Sequence, residues 1–246
     1  MRKIFIAFAL VLTVPCLVVA ADVYVKSRSH SDPVSIMGQN QPARDNFTEQ
    51  WIGDGQIAVI SPSNTMLIDL NKNVMRIVND KAKTYVETTL PLDYSKMLPA
   101  QMGSMLQGMK TTVTVKATGN KKTYGTRSCD EYEVSVNIVM MSMTMKVYAS
   151  MDVPLDYPEY VQKVHPILMK SQFMGIDDAS VAEFGKIQGY WIAQETNGEV
   201  MGAKIHQTTE VIEITSKPAP AGTYELPAGY TKQDTLSMQD LQGVGQ

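Results

Sequence analysis

A chain of 246 residues, 44% hydrophobic and 19% charged, has the balance of an ordinary globular protein and not that of a disordered one. Its 22 basic and 25 acidic residues leave a net charge of −3, without the clustered Lys and Arg of a nucleic-acid surface. Methionine, at 17 against 5 phenylalanines, predicts an interior filled by flexible rather than rigid side chains.

The first twenty residues differ from the rest. Arg2 and Lys3 precede an apolar run, and Ala20 and Ala21 follow it, which is the layout of a secretory signal peptide. The run is short for a membrane span of about 20 residues, so cleavage after Ala20 is expected. Pro15 directly before Cys16 does not fit a lipobox, and no lipid anchor is expected. Losing Arg2 and Lys3 lowers the net charge to −5. The mature chain keeps one cysteine, Cys129, hence no internal disulfide. Its neighbours Asp130 and Glu131 disfavour a thiolate, so it reads as a small buried apolar residue. These features predict a periplasmic or secreted protein without a stable membrane anchor after cleavage: a signal peptide at 1–20, one domain over 21–234 and a flexible tail at 235–246.

The domain opens with short alternating segments at 22–31, 45–53, 56–61, 64–70, 73–79 and 83–88. Gly53-Asp54-Gly55, Pro62-Ser63 and Asn71-Lys72-Asn73 separate them, and connections this short predict antiparallel neighbours. Residues 32–44, with Pro33, Gly38 and Pro42, read as an exposed loop. Over 93–108, Met97, Leu98, Met102, Met105 and Leu106 recur at helical intervals, while Pro99 and Gly103 keep that helix short or broken. Strands return at 110–118 and 131–138, with another ending near Ser150. A second helical block follows from 156 to 187. Pro158 suits its first turn, Pro166 interrupts its apolar stripe, and Asp177 or Asp178 caps a short helix at 178–187. Strands at 189–196 and 199–215 are joined by Asn197-Gly198, the strongest short hairpin signal in the chain. The Pro- and Gly-rich stretch 217–231 is expected to pack along the outside. About eleven strands and two helical insertions, with no internal repeat, predict a mainly β (α+β) fold: a large curved antiparallel sheet with helices on one face.

Within this pattern, TMLIDLNKNVMRIVNDKAKTY (65–85) resembles a segment of a family of exported bacterial proteins, in which an aspartate follows a short strand and Lys-x-Tyr closes the next hairpin. GYWIAQETNGEVMGAKIHQTTEVIEI (189–214) and YELPAGYTK (224–232) resemble that family's end. Its members look like relatives of the lipoprotein carriers LolA and LolB. The resemblance covers most of the mature chain, through turns and strand patterns rather than catalytic signatures. It implies an unclosed LolA-like half-barrel with a helical lid that holds acyl chains.

The chain has no His-Glu-x-x-His, Gly-x-Ser-x-Gly, phosphate loop or dinucleotide fingerprint, so neither an enzyme nor a cofactor is expected. His30, His165 and His206 are far apart in sequence. Asp69 reads as a residue that fixes the following turn, and Lys83 and Tyr85 as a solvated lysine beside a packed tyrosine. Candidate cavity residues are Trp51, Met66, Ile68, Met102, Met105, Met143, Met145 and Trp191. The leading expectation is a soluble exported protein that binds a lipid, a lipoprotein acyl chain or another apolar ligand in a Met-rich cavity. The alternatives are an envelope interaction module without a small ligand and a copper-binding protein using thioethers. Residues 131–150 admit two registers. In one, a strand beginning near Met141 aligns Met141, Met143, Met145 and Val147 on one face; in the other the hairpin turns at Met140–Ser142. The resemblance favours the second.

Overall fold

The computed structural model describes residues 21–36, 38–93, 97–99, 111–138, 141–173, 175–200, 202–237 and 240. The segment expected to be a signal peptide and most of the expected first helical block, with Met102 and Met105, lie outside the described residues.

The eleven strands expected from the sequence form β1 (Val23–Ser31) and β4 (Arg44–Ile52) through β13: β5 (Gln56–Ile60), β6 (Thr65–Asp69), β7 (Val74–Asn79), β8 (Thr84–Thr89), β9 (Thr112–Tyr124), β10 (Arg127–Ile138), β11 (Met141–Ser150), β12 (Tyr190–Val200) and β13 (Ala203–Ser216). The stretch taken for a loop holds a small exposed hairpin, β2 (Val34–Ile36) with β3 (Gln39–Gln41). A short β14 (Thr231–Gln233) adds to β8 in parallel. Among the described residues one open twelve-stranded sheet runs β14-β8-β7-β6-β5-β4-β1-β13-β12-β11-β10-β9, antiparallel apart from that β14 pairing.

Two sequence expectations are corrected. Asn197-Gly198 is not a turn: it lies inside β12, where Asn197 pairs with His206 and Gly198 with Ile205. The hairpin closes three residues later, between Val200 and Ala203, where Gly202 takes a φ of +82° that a side chain would resist. Gly198 has a different task. A Cβ there would sit 2.9 Å from Met143 Cγ and 3.1 Å from the Ser142 carbonyl oxygen, so the missing side chain makes room for the Met row. The second correction concerns β9, which runs on to Tyr124 rather than ending at 118. The register against β10 shifts between Asp130 and Tyr132, and Gly119, opposite the shift at φ +81°, absorbs the extra length.

The Met-rich stretch takes the first of its two registers. β10 ends at Ile138 and β11 begins at Met141, its partner. Met145 and Val147 are buried, whereas Ser142, Thr144 and Lys146 are exposed.

The second helical block is one turn, α1 (Tyr157–Glu159), a π-helical segment (Tyr160–Val164), then α2 (His165–Gln172) and α3 (Asp178–Phe184). Asp156 caps the first turn, its carboxylate accepting from the Glu159 N–H at 3.1 Å, and Asp177 caps α3 through the Ser180 N–H at 2.8 Å. Pro166 lacks an N–H, so the ladder cannot continue with ordinary α spacing; the wider π turn, closed by the His165 N–H on the Tyr160 carbonyl, carries the chain into α2.

Three apolar clusters hold the molecule together. On the face that carries the helices, Val25, Ile57, Ile68, Met75 and Ile77 pack beneath Met97, Leu98, Tyr160 and Val164. Further along that face, Val134, Val136, Met145 and Val147 pack beneath Met169, Phe173 and Phe184. On the opposite face, Tyr24, Trp51, Ala58, Leu67 and Val78 are covered by Tyr224, Leu226 and Tyr230, as expected of a C-terminal segment packed outside. That segment continues inward: Leu236 is buried and donates its N–H to the Met97 carbonyl, and Asp240 accepts from Asn79 Nδ2 at 2.7 Å. Leu236 and Asp240, which fall in the stretch 235–246 expected to be a flexible tail, are thus buried in the packed body.

Candidate functional site

Four neighbouring strands change character along one face. On β1 the apolar Val23 and Val25 give way to Ser27 and Ser29. On β4, moving the same way across the register, Ile52 gives way to Gln50 and Thr48. On β13 Ile214 and Val211 lead to Thr209 and Gln207, and on β12 Ile192 leads to Gln194 and Thr196. Since side chains alternate with a period of two, these substitutions fall on the helix-bearing face and make a hydroxyl- and amide-lined patch beside the apolar clusters. α2 lies over it through Leu168, Ser171 and Gln172, and Val59 and Met66 supply an apolar wall. The space between is a cleft of about 240 Å³.

The cleft is organised by a few internal hydrogen bonds. The Ser29 and Thr209 hydroxyls lie 2.9 Å apart on adjacent strands. Gln194 Nε2 donates to Thr196 Oγ1 at 2.8 Å and to Met145 Sδ at 3.4 Å. The Tyr190 hydroxyl donates to Gln50 Oε1 at 2.7 Å at the apolar end, where burial holds the phenol far above its ordinary pKa. Ser27, Thr48, Gln172 and Gln207 line the cleft, and their side chains make no hydrogen bond among the described residues. Among the described residues no lining side chain is titratable. The cleft can therefore hold and orient a molecule by hydrogen bonding.

The sequence-derived candidates scatter across the fold. Met66 lines the cleft. Ile68 and Met145 are solid core, 2% and 1% exposed. Met143 is half-buried against the second cluster, beside Gly198. Trp191 packs under the helices, its ring 5.7 Å from Phe184 and 5.9 Å from His165. Trp51 lies on the opposite face, 4.6 Å from the Tyr24 ring and beneath Lys217 Nζ. Asp69 does fix its turn, accepting from the Lys72 N–H and Nζ, both at 2.9 Å, and Lys72 holds its carboxyl below the usual range. Cys129 is buried and free, and burial pushes its thiol up. The cleft residues Ser27, Ser29, Thr48, Gln194, Gln207 and Thr209 escaped the sequence reading. Their signal is polar residues at inward positions on four adjacent strands, which appears only once the strand order is known.

Two of the three histidines meet. His30 Nδ1 lies 3.0 Å from Asp45 Oδ1, and Asp32 joins the rings, 3.5 Å from His30 Nε2 and 2.9 Å from His206 Nδ1. This is an exposed network at a strand end, and among the described residues no His, Cys, Asp and Glu are grouped to hold a metal. His165 stands apart, buried at the start of α2, where desolvation lowers its pKa from 6.5 to about 4. Two further clefts occur. One of about 330 Å³ lies between Ile52, Ile57 and Leu70 and the π-helical segment, with Asp54, Asp156 and Glu159 around it. The other, about 430 Å³, includes Arg28, His30, Lys122, Tyr124, Glu195 and Glu210.

No protein-family model matches the chain, and no curated protein matches it in sequence. No helix among the described residues is long and apolar enough to cross a membrane.

Proposed function

We propose that this is an exported, periplasmic or secreted binding protein that holds an amphiphilic ligand between α2 and the sheet, in the manner of a half-barrel under a helical lid. The observation that carries this reading is the cleft beneath α2, with Val59, Met66 and Leu168 on one side and, on the other, hydroxyl and amide groups several of which have no hydrogen-bond partner among the described residues. A pocket of this kind, part apolar and part convergent polar groups, is the ordinary form of a small-molecule site. Its volume refines the proposal. About 240 Å³ is below the roughly 300–1,000 Å³ of most ligand pockets. With α2 in this position, the cleft takes a head group and the first carbons of a chain. The rest of the ligand follows the apolar wall outward.

A second reading, an envelope interaction module without a small ligand, draws on the dense packing of Ile68, Met75 and Met145, which leaves no room at those positions. Native mass spectrometry of the protein purified from its own compartment separates the two. Binding predicts a co-purifying amphiphile, together with saturable binding of fluorescent acyl probes that weakens when Leu168→Trp fills the cleft. A protein that carries no small molecule and binds none of the probes sinks the binding reading and leaves the module.

A further inference from the structure

Building on that reading, we infer that the cleft beneath α2 selects an uncharged head group carrying hydroxyls or amides, such as a sugar or glycerol moiety, over an ionised carboxylate, phosphate or ammonium. The residues that line it are serine, threonine and glutamine on the polar side and valine, methionine and leucine on the other. Among the described residues none of the lining side chains carries a charge. The ion pairs of these strands lie elsewhere: Lys26 with Glu49 and Arg28 with Asp45 point to the other face, in alternation with Ser27, Ser29 and Thr48. On α2, Lys170 is held by Asp178 at 2.7 Å.

Hydrogen-bond matching leads to the same class. A hydroxyl both donates and accepts, and a glutamine side chain offers two donors and an acceptor. The groups left unpaired around the cleft, Ser27, Thr48, Gln172 and Gln207, are all of this dual kind. Gln194 spends its amide N–H groups on Thr196 and Met145, so its carbonyl oxygen is left to accept. A ligand hydroxyl meets such a lining with both of its functions. A carboxylate only accepts and a quaternary ammonium neither donates nor accepts, so either leaves part of the lining unmatched and brings a charge in without a partner.

The test is a titration of the full protein with three ligands of one chain length, decyl glucoside, decanoate and decyltrimethylammonium, below their micelle concentrations. Calorimetry reads the affinity. The expected result is glucoside binding at least about tenfold tighter than either charged ligand, a ratio equal to about 1.4 kcal/mol. Thr48→Val and, separately, Gln207→Leu should each reduce that preference by several-fold, with circular dichroism unchanged. The wild-type panel stands without them if a variant misfolds. Binding of decanoate or decyltrimethylammonium as tight as, or tighter than, the glucoside overturns the head-group inference and leaves the binding function intact. Binding of none of the three overturns both.

Discussion

The two halves of the sheet bury themselves differently. In β5–β8 the strands are five or six residues long and both faces are sealed: Ile57 packs under the helices and its neighbour Ala58 under the C-terminal segment, 1% and 0% exposed. In β9–β13 the strands are ten to fourteen residues long and rely mainly on one face. Met145 and Val147 are buried while Thr144 and Lys146, which alternate with them, are exposed. A strand buried on both sides gains core from every residue and can be short. A strand buried on one side gains it from every second residue and needs length and a cover. The candidate cleft lies where these regimes meet, along β4, β1, β13 and β12, under the end of that cover.

The comparison predicts that the long-strand half fails first when its helical cover is loosened. Phe184 is fully buried and stacks on Phe173 with ring centres 5.3 Å apart. Phe184→Ala should cost about 3–5 kcal/mol in chemical denaturation. Amide exchange should quicken in β10–β12 and stay slow in β5–β7; equal quickening in both halves would break the distinction.

Acid should act on the same cover almost as strongly. The imidazole of His165 stays neutral in the folded protein down to about pH 4, whereas in the unfolded chain it protonates near 6.5. Between these values the unfolded state binds the extra proton. The contribution is therefore complete above pH 6.5 and is lost as pH falls towards 4, on the order of 3 kcal/mol. Denaturation midpoints measured across that window should fall, and His165→Leu should flatten the slope. An unchanged slope in the variant would assign the acid sensitivity to other groups.

The smallest effect tests the sheet rather than its cover. Gly198→Ala should cost about 1–3 kcal/mol by forcing a methyl group against Met143. Adding Met143→Ala should recover part of that loss in a double-mutant cycle. Additive losses would show that Gly198 answers to the backbone oxygen of Ser142 instead.

Much of the fold was legible because short turns force antiparallel neighbours and alternation marks the covered face. The Pro158 turn, the Asp177 cap and the role of Asp69 follow from local chemistry, and local chemistry is what a sequence displays. Asn197-Gly198 misled because the dipeptide favours a tight turn only where the neighbouring strand leaves it free. Here Met143 occupies the space beside Gly198, and the chain turns at Gly202. The cleft was hidden for a related reason. Ser27 and Gln207 look like ordinary surface residues until β1 is set beside β13, a pairing between distant parts of the chain. Trp51, by contrast, is a large apolar residue in an alternating strand, and nothing local says which face it takes.

The place of β1 carries one more consequence, for the order in which the molecule is completed. β1 pairs with β4 on one side and with β13 on the other, so Val23 faces both Ile52 and Ser216. Among the described strands, the first in chain order is the one that fastens the two halves together, and it must wait for almost the last to do so. Pairings this distant slow folding, because a long loop closes before any contact rewards it. For a chain proposed to be exported, that delay is useful: until Ser216 is available, no finished sheet exists to resist passage across a membrane.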